Sequence, residues 1–418
     1  MMKRLLGILL SVSLVFTLIG CGKVKKKTLN IGVNSIGRNI NPFLYTNDET
    51  KDLVKLSFIQ LFPHDREGKV CYLSSENEGE VSTDGYTYYG MASLNSTEEE
   101  DGAYTYKIIV REDIFQANGD NITAKDLLFD YYVILDPSMK KILFPTEGND
   151  DQWLSSWQYK FSTLPLVGYT EYLDGISEAY LETSETKREE KLLSTNISGI
   201  NLISKTELQI KMKRKLSEEE VERLNIFVAS ANQFNDGSTF NYEYNAFGFK
   251  KGNISQATSA ANVLNGGSGA FMITKIGTKS IKLKKNTAYF GGEPKVDFLN
   301  VILLENKVYD EDGKISGGGD AFYKINDGKV DLALIIDDAL SENGMVRYNN
   351  NSRINGDVMS LFKISSSKYP SAKQSVYALV YSTKRFDPSS LSSLDLSDNY
   401  TYLDAIQFLN VKQSTFFM

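Results

Sequence analysis

Residues 104–137, YTYKIIVREDIFQANGDNITAKDLLFDYYVILDP, constrain the fold more than any other stretch. Tyr106, Ile108 and Val110 alternate with Thr105, Lys107 and Arg111, the period-two pattern of a half-buried strand. Asn118-Gly119 is a turn dipeptide, because glycine enters positive φ without a steric cost. Thr123-Ala124-Lys125-Asp126 reads as a helix start: a threonine oxygen can accept from a free backbone N–H, and an aspartate three residues on can reach back or sit at the positive helix end. Leu127, Leu128, Tyr131, Tyr132 and Leu135 then fall at helical spacing on one face. Pro137 stops the helix, since it lacks an N–H and disfavours α geometry at Asp136.

A chain of 418 residues suits two or three domains. Its formal net charge is -7, and removing residues 1–20 with Lys3 and Arg4 would make it -9. That balance excludes a nucleic-acid partner, which calls for a basic domain. One histidine, His64, and two cysteines, Cys21 and Cys71, leave no set for a structural zinc site, a Cys/His protease pair or a disulfide framework. With 53 acidic residues, carboxylate pairs arise by chance, and there is no G-x-S-x-G. No enzyme, metal or cofactor is expected.

The N-terminus carries Lys3 and Arg4, an apolar run from Leu5 to Ile19, and then Leu18-Ile19-Gly20-Cys21. The run is short and one-sided for a membrane span. Lys23 to Lys27 form a short basic tether, a solvated spacer that can also meet anionic headgroups. Leu29, Ile31 and Val33 alternate as a first strand, and residues 35–43 are turn-rich. Helices are expected over 47–62 and 217–227. The polar stretch 75–102 reads as an exposed hairpin and loop. Residues 138–195 read as helical and aromatic, with Trp153, Trp157, Tyr159, Phe161 and Tyr169 serving either the core or a cleft wall. Two short β runs follow within 197–212. Asn265-Gly266-Gly267-Ser268-Gly269-Ala270-Phe271 fits a backbone crossing that side chains would obstruct. No lysine and helix follow it, as a phosphate-cradling loop would need.

Several of these stretches together resemble bacterial extracellular solute-binding protein family 5, the oligopeptide- and dipeptide-binding lipoproteins of ABC importers. The resemblance rests on Val110, Arg111, Phe115, Asn118, Gly119, Thr123, Ala124, Asp126, Leu127, Phe129 and Pro137. It extends to Ile40-Asn41-Pro42, to Gly267, Ser268, Gly269 and Phe271, to Asn286, Tyr289, Gly291 and Gly292, to Asp327-Gly328-Lys329-Val330-Asp331, and to Tyr377–Lys384. Ala270 stands where the family has proline, Phe290 where it has tryptophan, and Ser382 where it has asparagine. Leu18–Cys21 resembles a lipobox, whose cysteine takes a lipid; an ordinary secretory signal, or a short membrane anchor that happens to contain a cysteine, is the alternative.

The resemblance implies an α/β, two-lobed periplasmic-binding-protein-like fold of type II, with the extra subdomain of peptide-binding members and an incomplete second lobe. It divides the chain into a lipoprotein signal peptide (1–20), a tether (21–27), a first lobe (28–266) with an inserted subdomain over about 50–195, and a partial second lobe (267–418). Cys21 would be the lipidated residue, and Asn41, Phe43, Trp153, Trp157, Tyr381 and Ser382 would contact ligand. Gly267 and Gly269 would form the hinge, with lobe closure shifting open to closed states. The implied partners are a peptide ligand, an ABC permease and ATPase, and the outward-facing cell membrane through the lipid. Family members continue for a hundred residues or more past the point matching Met418, so a truncated chain is expected. The alternative function is a degenerate or truncated surface lipoprotein without transport activity.

Overall fold

The computed structural model describes residues 27–33, 36, 37, 39–63, 70–72, 80–82, 87–146, 148–294, 296–304, 324, 325, 327–337, 359–364 and 376–382. Cys21 and the basic tether before Lys27 lie outside these residues, as do His64 and the glycines at 317–319.

Strand β1 (Thr28–Val33) buries Leu29, Ile31 and Val33 and leaves Thr28 and Asn30 half-exposed, as its alternation predicts. It pairs in parallel with β12 (Phe298–Leu303), Thr28 opposite Phe298 and Val33 opposite Leu303, and with β13 (Leu332–Asp337), Ile31 opposite Leu332. The hairpin of β10 (Phe271–Ile276) and β11 (Ser280–Lys285) extends the sheet on one side. Strands β15 (Val376–Ser382) and β14 (Met359–Ile364) extend it on the other. The described order is β10-β11-β12-β1-β13-β15-β14. The boundary expected at 266/267 therefore does not divide the sheets: residues 28–33 lie inside the sheet built from 271–382.

A second, antiparallel sheet has the order β4-β5-β7-β6, from β4 (Ala92–Glu98), β5 (Tyr104–Val110), β6 (Ile200–Leu202) and β7 (Glu207–Met212). Its strands β6 and β7 lie beyond residue 195, the expected end of the inserted subdomain. The small hairpin of β2 (Glu80–Ser82) and β3 (Thr87–Tyr89) precedes this sheet, and β8 (Phe240–Asn241) and β9 (Ala246–Phe247) form another.

Helices are α1 (Asp48–Lys55), α2 (Ala124–Ile134), α3 (Met139–Leu143), α4 (Asp150–Ser155), α5 (Trp157–Ser162), α6 (Tyr169–Leu181), α7 (Glu185–Ser194), α8 (Glu218–Glu222) and α9 (Ala231–Phe234). Two are shorter than their sequence periodicity predicts. Helix α1 ends at Lys55 and α8 at Glu222, because residues 59–62 and 225–228 meet as extended backbone. Leu61 N donates to Ile226 O, Val228 N donates to Ile59 O, and Gln60 bridges Phe227. Tertiary pairing outweighs helical propensity there. Among the described residues no helix is long and apolar enough to cross a membrane.

Helix α2 ties the layers together. It is buried at nearly every position, and its Tyr131, Tyr132 and Phe129 are among the largest fully buried side chains. Each such ring contributes about 1.5–3 kcal/mol through burial. Phe129 stands edge-on to Phe43 and Phe249, and Phe43 edge-on to Phe234.

Candidate functional site

Strands β12, β1 and β13 run the same way, so their carboxyl ends open on one pole, where open α/β sheets hold ligands. From that pole the chain leaves β1 and reaches a tight turn at 41–45. Asn41 makes the turn: its Oδ1 accepts from Phe43 N at 2.9 Å and its backbone carbonyl from Leu44 N at 3.1 Å. Its Nδ2 donates to Thr258 O at 3.1 Å. Helix α5 grips the turn from outside. Gln158 Nε2 donates to Phe43 O at 2.9 Å and Tyr45 O at 3.2 Å, and Trp157 Nε1 donates to Tyr45 O at 2.9 Å. The Trp157 ring stacks on Tyr45 with centroids 4.8 Å apart.

The glycine segment crosses where side chains would collide. Gly267 has φ +98, and a Cβ there would lie 2.0 Å from Ser57 O; at Gly269 a Cβ would lie 2.6 Å from Leu56 O. Gly269 N donates to Ser57 O at 2.8 Å, Phe271 N to Leu56 O at 2.9 Å, and Ala117 N to Gly267 O at 3.0 Å. Asn286 closes the far side, its Nδ2 donating to Gly269 O at 2.9 Å. Gln116 Nε2, Gln233 Oε1, Ser57 Oγ and Ser268 Oγ, all against this crossing, have no hydrogen-bond partner. The crossing reaches the 41–45 turn through Phe58 and Phe234, whose centroids are 5.7 Å apart, and then Phe43.

Two carboxyls on α2 hold the returning chain. Asp126 accepts from Thr123 N at 2.8 Å and Thr123 Oγ at 2.9 Å through one oxygen, and from Ala231 N at 2.8 Å through the other. Asp130, four residues on, accepts from Ala229 N at 3.0 Å, and its Oδ1 has no partner. Burial pushes both carboxyls above the usual carboxylate range, Asp130 well above it. Beyond the end of α2, Asp136 accepts from Gly252 N at 2.7 Å and from Ser138 N and Oγ. Burial raises it too. Lys251 lies beside it with Nζ buried, donating to Leu192 O at 2.8 Å and to Thr195 O at the end of α7, 4.8 Å over the Phe247 ring. Desolvation brings this lysine down to about 7, opposed by the Asp136 charge.

The structure thus brings together Asn41, Phe43, Trp157, Gly267 and Gly269 around one buried aromatic chain. Phe43 is fully buried, and the polar groups of Asn41 and the Trp157 ring N–H are spent on backbone. Trp153 sits apart on α4, half-buried and edge-on to Tyr159. Tyr381 and Ser382 end β15, opposite Leu332 and Met359 in register. Among the described residues no group of three or more His, Cys, Asp or Glu could hold a metal. Sequence reasoning missed Gln158, Lys251 and Asp130. Of these, only the i, i+4 pair Asp126–Asp130 left a signal, two carboxylates on an otherwise apolar helix face.

A model of the family described as "Bacterial extracellular solute-binding proteins, family 5 Middle" matches residues 89–340. Among curated proteins none matches. Solved structures similar to this chain include lactococcal OppA complexed with an endogenous peptide in the closed conformation. Identity to it is 15%, the TM-score is 0.50, and the match covers 82% of this chain and 50% of that one. The oligopeptide-binding protein AppA from Bacillus subtilis, in complex with a nonapeptide, is 15% identical with a TM-score of 0.48, covering 81% and 48%. NikZ from Campylobacter jejuni, in complex with Ni(L-His), is 16% identical with a TM-score of 0.47, covering 82% and 48%. The chain spans about half the length of these structures, and at such identities the likeness is one of fold: a mixed α/β fold of the two-lobed periplasmic-binding-protein kind.

Proposed function

The chain belongs to the bacterial extracellular solute-binding proteins of family 5, and from that premise we propose that it captures peptides outside the cell and delivers them to an ABC permease and its ATPase. The family match over residues 89–340 carries this reading. OppA, which shares the fold, was solved with a peptide bound, which supports a peptide ligand. In this reading Asn41, Phe43 and Trp157 serve the ligand from beneath, by fixing the 41–45 turn beyond β1. Trp153, Tyr381 and Ser382 are the candidates for direct contact, and Gly267 and Gly269 the pivot between lobes. Cys21 anchors the protein to the outer face of the cell membrane through its lipid.

Calorimetry of the full chain against a mixed peptide pool and against nickel–histidine tests the ligand class. Micromolar or tighter peptide binding is expected. Binding of nickel–histidine alone, or of neither, refutes the peptide reading, and the second outcome favours a surface lipoprotein without transport activity. Fatty-acid labelling tests the anchor: label present in the native chain and absent from Cys21→Ala is expected, while label persisting in the variant rules out that residue.

A further inference from the structure

The β10–β11 hairpin carries lysines that nothing on the described surface neutralises. Lys275 stands directly opposite Lys282, and Lys284 lies two residues further along the same face. Directly opposed residues of an antiparallel pair share a face, and like charges there are unfavourable. All three are exposed, while Ile281 and Leu283 between them are buried on the core side. Carboxylates beside the same sheet are engaged elsewhere: Glu293 and Asp297 both hold Lys285, at 2.6 and 2.9 Å, and Asp331 accepts from Asn30 N at 2.7 Å. Among the described residues none forms an ion pair with Lys275, Lys282 or Lys284. In a chain of net charge -7 this is a local reversal of sign.

Its position says what covers it. Lys284 is in register with Phe298, and Phe298 with Thr28, so the lysine face begins two strands from the first residue of β1. At the usual strand spacing that is about 10 Å, with Lys275 one strand further at about 14 Å. Lys27, exposed, opens β1 at the same end, fixed by its N–H on Asp297 Oδ2 at 2.8 Å and its carbonyl under Asp297 and Phe298. From Cys21 to Lys27 a fully extended chain reaches about 20 Å. A lipid on Cys21 therefore keeps this face within reach of the headgroup plane.

We propose that Lys275, Lys282 and Lys284, with Lys27, form a docking surface for anionic phospholipid headgroups that orients the anchored protein on its membrane. The proposal rests on the lipid-anchor reading above. Three cations with no ion-pair partner among the described residues meet a surface of opposite sign.

Two measurements separate the docking surface from the anchor. The lipidated full chain is placed on vesicles of phosphatidylcholine alone or with one third phosphatidylglycerol, and amine acylation is read by mass spectrometry. On anionic vesicles Lys275, Lys282 and Lys284 should react several-fold more slowly, Lys187 and Lys213 should not change, and 0.5 M salt should restore the rates. Equal rates on both compositions overturn the proposal. The unlipidated Cys21→Ala full chain gives the second readout, its partition onto anionic relative to neutral vesicles. Each lysine near an anionic surface is worth about fivefold, so K275Q/K282Q/K284Q should lower that ratio about 100-fold. An unchanged ratio overturns the docking surface whatever the anchor does, whereas absence of lipid on native Cys21 overturns the anchor alone. If the triple variant instead loses binding to polyglutamate while its vesicle ratio stays, the face serves an acidic protein and the proposal falls.

Discussion

Gly267→Ala tests whether the glycine crossing is built on backbone contact. The new Cβ would stand 2.0 Å from Ser57 O and 2.9 Å from Ser57 C, both backbone atoms that cannot rotate aside. A left-handed φ of +98 adds about 1–2 kcal/mol for a residue with a Cβ. Relief of the clash requires the 56–57 segment to withdraw. That lengthens the bonds from Gly269 N to Ser57 O and from Phe271 N to Leu56 O, now 2.8 and 2.9 Å. Buried groups left unpaired cost about 1–3 kcal/mol, and overpacking a similar amount. The expected loss is about 3–8 kcal/mol, a large part of a typical folding stability of about 5–15 kcal/mol. Gly119→Ala is the control. Its φ is +90, yet nothing lies within 4 Å of its Cβ position, so it should lose only the conformational part, about 1–2 kcal/mol. Urea unfolding of both variants, followed by tryptophan fluorescence, gives the comparison. Equal losses would refute the close-approach argument and leave φ alone as the reason for glycine at 267.

Asp130→Asn keeps the acceptor for Ala229 N and removes a buried charge. Because the folded carboxyl is raised, the native chain is favoured below the ordinary carboxylate range and loses that advantage as pH rises. The variant should therefore gain on the native chain from pH 5 to pH 8, by about 1.4 kcal/mol for each pH unit above 5 over which the folded carboxyl stays protonated, and urea midpoints at the two pH values check this. Lys251 has the opposite sign: brought down to about 7, it leaves the folded state with fewer protons than the unfolded one up to the ordinary lysine range. Native stability should rise with pH above 7, and Lys251→Met should flatten that rise in the same melts. Gln158→Ala removes the donor to Phe43 O and one of the two donors to Tyr45 O, at a cost of about 1–3 kcal/mol. Hydrogen exchange should quicken at 41–45, and peptide affinity should fall if that turn supports the ligand.

The elements visible in the sequence are those whose cause is local. Alternation at Tyr106, Ile108 and Val110 places β5, and Gly119 takes positive φ. Thr123 and Asp126 begin α2, though Asp126 reaches further than a cap does, out to Ala231. The elements that were hidden depend on partners far along the chain. Nothing near Thr28 announces that it will lie beside Phe298, 270 residues on, so the sheet that takes β1 from the expected first lobe has no local trace. Residues 217–227 have helical periodicity, yet Ile226 and Val228 pair with Ile59 and Leu61. The site was partly legible for the same reason. Asn41-Pro42 and the glycines advertise backbone conformation, while the Gln158 grip on the 41–45 turn is a contact across 115 residues from a side chain of ordinary type to backbone carbonyls.

One trait joins the residues that carry the family likeness. Thr123, Asp126, Asn41, Asn286 and the two crossing glycines all act on backbone: they accept from its N–H groups, donate to its carbonyls, or clear its path. Such residues specify where the chain runs and place almost no demand on the side chains around them. That explains how a fold persists at 15% identity to OppA. The proposed peptide reading follows the same separation, although the backbone of the 41–45 turn is itself spent on Asn41, Trp157 and Gln158. Backbone groups hydrogen-bond any extended peptide alike, whatever its side chains. A scaffold of this kind is suited to a ligand held through its main chain, and variation among ligands then falls to the residues that the scaffold leaves free.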